Sequence, residues 1–143
     1  MTTLFTLTQV CYWLNRKNTF TKDLSFTSVS IDTRTLKPNA LFIALKGPNF
    51  DGHDFIEEAI KCGATAIVCS KKSCLPIPQV VVTNSEQALL TLATQYRRQC
   101  SHNTLIALSG SCGKTTSKEM LGNILALWKP TTITPANQNN HLG

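Results

Sequence analysis

The chain has 143 residues, of which 42% are hydrophobic and 15% are charged. This composition permits a packed core and is not that of a disordered protein. Lys and Arg number 14 against 8 Asp and Glu, which gives a net charge of +6, but the basic residues are dispersed along the chain. We therefore expect no nucleic-acid partner; a mildly basic surface favours small anionic ligands instead.

The six cysteines lie at irregular spacings and form no Cys-x-x-Cys pair. The N-terminus lacks the charged and apolar regions of a signal peptide, and no apolar run approaches the roughly 20 residues of a membrane span. These features predict a cytoplasmic protein with reduced thiols and no membrane insertion. We also expect a monomer.

The spacing of apolar residues predicts an α/β fold, because strand-like and helix-like runs alternate along the chain. In chain order the predicted elements are a helix at 7–15, strands at 27–32 and 40–45, a helix at 51–62, strands at 65–70 and 79–84, a helix at 85–100, a strand at 103–110, a helix at 114–128 and a strand at 131–134.

We place a domain boundary between residues 102 and 103. Residues 1–102 contain enough elements to close as a small N-terminal α/β domain. Residues 103–143 hold one strand–turn–helix unit and a further strand, about 40 residues, which is too few for an independent core. This segment is therefore expected to be the opening of a second, incomplete domain.

The stretch SGSCGKTTSKEM, residues 109–120, has the features of a phosphate-binding loop. The P-loop pattern is G-x-x-x-x-G-K-[ST]; Gly113, Lys114 and Thr115 match its end, whereas Leu108 stands at the first glycine and Gly110 supplies the flexible position. Glycines let backbone N–H groups converge on phosphate oxygens, and the lysine and threonine suit phosphate and Mg²⁺. The loop alone fits a kinase, an ATPase, a GTPase or an ATP-dependent ligase.

The neighbours of this loop are more specific. ALSGSCGKTTSKEMLGNIL and TPANQNNHLG resemble the start of the central ATPase domain of the Mur ligases. Upstream, SIDTRTLKPNALFIALKGPNFDGHDFIEEAIKCGATAIV is similar to the UDP-binding domain of that family, although Thr33 stands where the family usually has serine. The resemblance covers nearly all of the chain from about Ser28 onward. Such ligases have three domains, and most of the second and all of the third have no counterpart here.

The resemblance implies an ATP-dependent amide ligase of peptidoglycan precursor synthesis that uses ATP and Mg²⁺. The KEM and T-x-x-N-x-N-N-x-x-G motifs point to the member that adds D-alanyl-D-alanine to UDP-MurNAc-tripeptide through an acyl phosphate. The 143-residue chain alone is expected to be inactive. A non-catalytic module that binds a UDP-sugar is the alternative, and an unrelated P-loop NTPase is a third hypothesis.

The resemblance also implies site residues. Lys114 and Thr115 are the expected catalytic residues, with Thr115 also a ligand of Mg²⁺. The expected ATP-binding residues are Gly110, Ser111, Cys112, Gly113, Lys114, Thr115, Thr116, Asn137 and Asn140. The expected residues for the UDP-linked substrate are Thr33, Arg34, Leu45, Lys46, Gly47, Asn49, Asp51, Gly52 and His53.

Several of these residues have structural alternatives. On sequence alone, a turn hydroxyl for Thr33 and a surface salt bridge for Arg34 are as well supported as contacts with a ligand. Asp51 is better placed as a helix cap than as a ligand contact. A structural or substrate-loop role is favoured for His53 over that of a general base, and the asparagines at 137–140 are also turn formers. The three histidines lack the spacing of a metal site.

Overall fold

The computed structural model describes residues 3–48, 50–100 and 104–135. The chain divides into two compact units, Met1–Cys100 and Ser101–Gly143. Asn49, Asn137 and Asn140, which were expected to contact ligands, lie outside the described residues.

The first unit begins with a short antiparallel pair and a helix. Strand β1 (Phe5–Thr6) pairs with β2 (Ser25–Phe26), and helix α1 (Leu7–Trp13) follows β1 directly. A capping box begins α1: the Thr6 hydroxyl accepts from the Gln9 N–H, and the Gln9 side chain accepts from the Thr6 N–H at 2.9 Å. The predicted helix is therefore confirmed, with Thr6 as its cap.

Four parallel strands form the main sheet of the first unit. They are β3 (Ser28–Ser30), β4 (Ala40–Ile43), β5 (Ala64–Cys69) and β6 (Gln79–Val81). They lie in the sheet in the same order as in the chain. The α/β prediction is confirmed for this unit.

Both faces of the sheet are covered, so its central strands are apolar on both sides. In β4, Leu41 and Ile43 pack into one core and Phe42 into the other. The first core lies among β1, β2, α1 and helix α3 (Ser85–Gln99), and the second lies under helix α2 (Ile56–Lys61). This alternation follows from the twofold side-chain period of a strand.

The largest deviation from the predicted helix bounds is at the start of α2, whereas α1 and α4 each end two residues before the predicted end. Residues Gly52–Phe55 form a 3-10 turn before α2, and Phe55 is 42% exposed instead of packing with the helix face. At the other end, Gly63 adopts φ +105° just after α2, a conformation that suits glycine at the end of a helix. The Asn84 side chain caps α3 by accepting from the Gln87 N–H at 3.0 Å.

The second unit contains helix α4 (Lys114–Ala126), which confirms the predicted helix. The strands predicted at 103–110 and 131–134 are wrong for the described residues, because 104–110 and 131–134 form no ladder there. Leu105, Ile106 and Leu108 are exposed instead of buried. An apolar, extended run becomes a strand only where a second backbone pairs with it, and propensity does not report that partner.

The helix and the second extended segment of this unit nevertheless pack closely. A Cβ atom added at Gly122 would lie 2.2 Å from Cδ1 of Ile133. The Lys118 ammonium also donates to the Thr134 carbonyl.

Within the described ranges, no helix is long and apolar enough to cross a membrane.

Candidate functional site

A cleft of about 420 Å³ opens in the first unit beside the carboxyl ends of its parallel strands. Ligands of open α/β sheets bind at this edge, because the loops that follow the strands converge there. The lining residues come from the segments after β3 and β4, from β4 itself and from the start of α2: Ile31, Asp32, Thr33, Arg34, Phe42, Phe50, Gly52, Phe55 and Glu58.

The segment after β3 is a turn capped by Asp32. Its carboxylate accepts from the Arg34 N–H at 3.0 Å, and the Arg34 guanidinium lies 2.6 Å from Oδ2 of Asp32. The pKa of Asp32 is lowered to about 2, mainly by hydrogen bonds from the Arg34 side chain and, to a smaller extent, by the hydrogen bond from the Arg34 backbone N–H. The Arg34 side chain is 84% exposed, so it can exchange this carboxylate for a ligand anion.

Thr33 connects this turn to α2. It is buried, and its hydroxyl donates to a carboxylate oxygen of Glu58 at 3.1 Å. The hydroxyl oxygen retains acceptor capacity toward a ligand. Both roles considered for Thr33 and Arg34, the structural one and the ligand contact, are therefore compatible with the geometry, and the ligand contacts remain predictions.

The segment after β4 folds back on itself as a tight loop. Lys46 and Asp51 form an antiparallel bridge, the Gly47 N–H donates to the Phe50 carbonyl at 2.9 Å, and the Gly52 N–H donates to the Leu45 carbonyl at 2.7 Å. A Cβ atom at Gly52 would lie 2.7 Å from that Leu45 oxygen. The close approach of two backbone segments thus requires glycine at this position.

Asp51 and His53 fix the end of this loop. The Asp51 carboxylate accepts from the His53 backbone N–H at 3.0 Å and from its ring Nδ1, so Asp51 caps the 3-10 turn. These hydrogen bonds, the backbone one first, lower the pKa of Asp51. On the other side of the ring, Nε2 accepts from the Ser70 N–H at 3.0 Å. Both ring nitrogens of His53 therefore have partners within the chain.

Cationic side chains follow three neighbouring strands at this edge. Arg34 comes after β3, Lys46 after β4 and Lys71 after β5. Lys71 is close enough to Asp51 to contribute to lowering the pKa of that carboxyl. The carboxyl edge of the sheet therefore has the positive charge that favours an anionic ligand.

In the second unit, the loop before α4 has the backbone expected for binding phosphate. Gly113 takes the left-handed conformation, φ +76°, and a Cβ atom there would meet nothing within 4 Å, so conformation and not space requires glycine. The exposed N-terminus of this 13-residue helix presents N–H groups and a positive dipole. The Lys114 ammonium donates to the Gly110 carbonyl, which curls the side chain over the loop.

The residues of this loop fit a nucleoside triphosphate with its metal. Ser111 and Cys112 are exposed, and Thr116 lies in the first turn of α4. Lys114 and Thr115 also line a cleft of about 400 Å³ that residues 104–108 and 131–134 bound. Among the described residues, no cluster of three His, Cys, Asp or Glu side chains could hold a metal ion; the Mg²⁺ expected here depends on a hydroxyl and on phosphate oxygens instead.

Of the residues expected to bind the UDP-linked substrate, the structure brings three to the cleft lining, Thr33, Arg34 and Gly52. Leu45, Lys46, Gly47, Asp51 and His53 form the adjoining loop. Six further residues line the cleft without having been predicted from the sequence: Ile31, Asp32, Phe42, Phe50, Phe55 and Glu58.

Some of the missed residues carried a signal. Asp32 lies in the Asp-Thr-Arg motif itself, and Phe50 and Phe55 flank the Asp-Gly-His-Asp motif. Both phenylalanines are exposed and line the same cleft. Glu58 and Ser70 had no such signal, because only tertiary packing brings them to the site.

Comparison with known proteins places these features in one family. The model of the Mur ligase family, catalytic domain, matches residues 25–101, more than half of the chain. The matched region contains the strand-end cleft and stops before the phosphate loop.

Individual relatives agree with this match. The UDP-N-acetylmuramoyl-tripeptide–D-alanyl-D-alanine ligase of Buchnera aphidicola (subsp. Baizongia pistaciae) is 45% identical over 123 residues, which is 84% of this chain and 26% of the relative. The chain thus spans about a quarter of the length of such curated relatives.

Solved structures give the same result. The D-alanyl-D-alanyl ligase of Acinetobacter baumannii is 33% identical with a TM-score of 0.84, over 96% of this chain and 31% of the other. The MurF ligase of Thermotoga maritima, solved in complex with ADP, is 35% identical with a TM-score of 0.67, over 81% of this chain and 27% of the other. Taken with the family match, these similarities show that the chain belongs to the Mur ligase family and that its relatives include the D-alanyl-D-alanine-adding ligases.

Proposed function

We propose that this chain is the N-terminal portion of an ATP-dependent ligase that adds D-alanyl-D-alanine to UDP-MurNAc-tripeptide. The observation that carries the proposal is the 45% identity over 123 residues to a ligase of that name. In this proposal residues 1–102 form the domain that binds the UDP-linked substrate, and residues 103–143 begin the ATP-binding domain. The protein is cytoplasmic and monomeric, and it takes part in peptidoglycan synthesis.

The cleft of the first unit has the chemistry that a UDP-linked substrate needs. Arg34 and Lys46 provide positive charge for the diphosphate, and Gly52 contributes its backbone to the cleft wall. Phe50 and Phe55 present exposed aromatic faces for a planar base.

The phosphate loop supports the ATP part of the proposal. The first N–H groups of α4 and the loop backbone at Gly110, Ser111, Cys112 and Gly113 would hold the phosphates, with Thr116 in the first helical turn. The Lys114 ammonium would leave the Gly110 carbonyl for the phosphates, and the Thr115 hydroxyl would bind Mg²⁺. When bound, the metal supplies positive charge that offsets the charge of the transferring phosphoryl group.

The proposed reaction has two steps. A carboxylate oxygen of the tripeptide attacks the γ-phosphorus of ATP, the bond to the β-phosphate oxygen breaks, and an acyl phosphate and ADP form. The amine of D-alanyl-D-alanine then attacks the acyl carbon, loses a proton, and displaces inorganic phosphate to leave an amide. Phosphorylation is needed because a carboxylate oxygen is a poor leaving group, and Lys114 would neutralise the charge that moves to the β–γ oxygens.

The isolated 143-residue chain is proposed to bind the UDP-linked substrate but not to turn over. The matched relatives are about four times as long, and the strand-like segments beside the phosphate loop have no ladder among the described residues. A non-catalytic module that binds a UDP-sugar makes the same binding prediction, so the two hypotheses differ only in the activity of the longer protein.

Calorimetric titration with UDP-MurNAc-tripeptide, and separately with Mg·ATP, tests the proposal. We expect saturable binding of the UDP compound and weak or no binding of Mg·ATP. Clear Mg·ATP binding without binding of the UDP compound would contradict the ligase assignment. Turnover of ATP that depends on both the tripeptide and D-alanyl-D-alanine would contradict the proposed inactivity of the chain alone.

A further inference from the structure

His53 connects two segments that follow neighbouring strands of the sheet. Its own turn ends the loop after β4, whereas its Nε2 atom lies 3.0 Å from the Ser70 backbone nitrogen and 3.1 Å from the Ser70 hydroxyl, just after β5. The Lys71 backbone nitrogen is 3.4 Å from the same atom. The His53 side chain is only 10% exposed, so these contacts form in a site largely shielded from water.

The hydrogen-bond partners determine the tautomer of the ring. Nε2 accepts from a backbone N–H, so it carries no proton. The ring proton is therefore on Nδ1, where it is donated to the Asp51 carboxylate. Asp51, His53 and Ser70 thus form one directed chain of hydrogen bonds from the loop after β4 to the end of β5.

This chain has the connectivity of a hydrolase triad, but it lacks the other requirement of one. A nucleophilic serine needs backbone N–H groups aimed at the developing oxyanion. Here the N–H groups of Ser70 and Lys71 are aimed at the imidazole itself. The geometry favours fixing the loops over activating the Ser70 hydroxyl.

The fixed loop forms part of the cleft wall. Gly52 lies between Asp51 and His53 and lines the cleft, as does Phe50 just before them. Because Gly52 is covalently bonded to both Asp51 and His53, a shift of either residue moves the backbone at Gly52. That backbone also donates from its N–H to the Leu45 carbonyl at 2.7 Å. Rigid positioning of groups that contact a ligand increases affinity, because less order has to be imposed on binding.

We propose that His53 is a positioning residue: its neutral imidazole, by bridging Asp51 and Ser70, holds Phe50 and Gly52 where they line the nucleotide cleft. The inference rests on the proposed function, since it concerns the affinity of that cleft for a nucleoside diphosphate. It assigns a role to Ser70, and it places His53 behind the cleft wall and not on the ligand.

The experiment compares the affinity of the 143-residue chain for UDP, by calorimetry, among four variants. H53L removes the hydrogen bonds of both ring nitrogens, to Asp51 and to residues 70–71, and we expect about tenfold weaker binding. H53Q keeps an amide oxygen that can accept from the Ser70 N–H, and we expect it to recover part of that loss. S70A removes only the hydroxyl, and we expect about threefold weaker binding. N84A, which removes the cap of α3 outside the cleft lining, is the control for general destabilisation and should bind like wild type.

Each outcome has one meaning. Binding by wild type and equal binding by folded H53L and S70A overturns the inference, as does an equal loss of affinity in N84A. If H53L does not fold, H53Q and S70A decide in the same way. ¹⁵N NMR of the imidazole adds a readout independent of ligand, and a proton on Nε2 at neutral pH overturns the bridge. Absence of UDP binding in wild type, with the Nδ1–H tautomer present, contradicts the proposed function and not the bridge.

Discussion

The run Ala40–Ile43 in the first unit and the run 105–108 in the second have nearly the same composition but different environments. Leu41 is fully buried in β4, with β3 and β5 hydrogen-bonded on either side, whereas Leu105 is 71% exposed and belongs to no ladder among the described residues. Partner strands, and not apolar residues alone, are therefore needed to form a strand. The first unit has such partners around its cleft, whereas the phosphate loop of the second lies between α4 and two segments that form no ladder within residues 104–135.

The largest expected effect comes from a matched pair of leucines. Leu41→Ala should lower the free energy of unfolding by about 2–5 kcal/mol, because it leaves a cavity between two packed faces. Leu105→Ala should change it by less than about 0.5 kcal/mol, since the side chain is mostly in solvent. Urea denaturation followed by far-UV circular dichroism measures both, and equal effects would remove the contrast between the two units.

Gly52 in the first unit and Gly113 in the second require glycine for different physical reasons. Gly52→Ala should destabilise the first unit by about 1–3 kcal/mol, because its Cβ atom would lie 2.7 Å from the Leu45 carbonyl oxygen. Gly113→Ala should cost about 1–2 kcal/mol in the second unit for a different reason, the left-handed φ of +76°.

Gly110→Ala is the control for these two variants, because it adds the same methyl group without a close contact or a positive φ. The new Cβ atom would be 3.6 Å from the Cys112 carbonyl oxygen, an ordinary van der Waals distance, and the φ of Gly110 is not positive. We expect the free energy of unfolding of Gly110→Ala to lie within about 0.5 kcal/mol of the wild-type value. Loss of stability in Gly110→Ala equal to that in Gly113→Ala would contradict the conformational argument. Thermal unfolding with circular dichroism at 222 nm is the appropriate measurement.

A smaller effect is expected at the helix cap of the first unit. Asn84→Ala should lower the free energy of unfolding by about 1 kcal/mol, because the Gln87 N–H loses its acceptor. Asn84→Asp, which keeps an acceptor near the positive end of the helix dipole, should remain close to wild type. An alanine variant as stable as the aspartate variant, in urea titration, would contradict the capping role.

The smallest effect concerns the pH dependence of the Asp32 turn. The pKa of Asp32 in the folded state, about 2, lies below the value of about 3.9 for an unfolded chain. Its contribution to stability is therefore fully present above about pH 4 and is lost as the pH falls toward 2. Asp32→Asn should reduce the slope of stability against pH in that window, measured by urea denaturation at several pH values. Because the ion pair is exposed, the change should be modest, and an unchanged slope would show that Arg34 does not hold this carboxylate in solution.

The fold of the first unit was largely predictable, because its helix ends and turns are determined by residues that are close together in the sequence. Helix α1 and its cap at Thr6, the stop at Gly63 and the cap at Asn84 all follow from residues within one turn of each other. The buried strands β4 and β5 are short apolar runs bounded by turn residues, which favours strands over longer helices. The 3-10 turn at Gly52–Phe55 was not predictable, since its residues also suit the start of a helix.

The candidate site was predictable only in part. Motifs indicated Thr33, Arg34 and Gly52, and these line the cleft. Glu58 contacts Thr33 across 25 positions of sequence and Ser70 contacts His53 across 17, and no pattern of spacing encodes such pairs. The strands expected around the phosphate loop failed for the related reason that pairing partners are not a local property.

The order of the strands in the main sheet bears on how the protein folds during synthesis. Val29 pairs with Leu41, Phe42 with Ile67 and Ile67 with Gln79, so each strand joins the one made immediately before it. No strand of this sheet has to be inserted between two strands made before it. We expect the sheet to grow from β3 to β6 as the chain leaves the ribosome, with each new strand covering the edge left open by the strand before it.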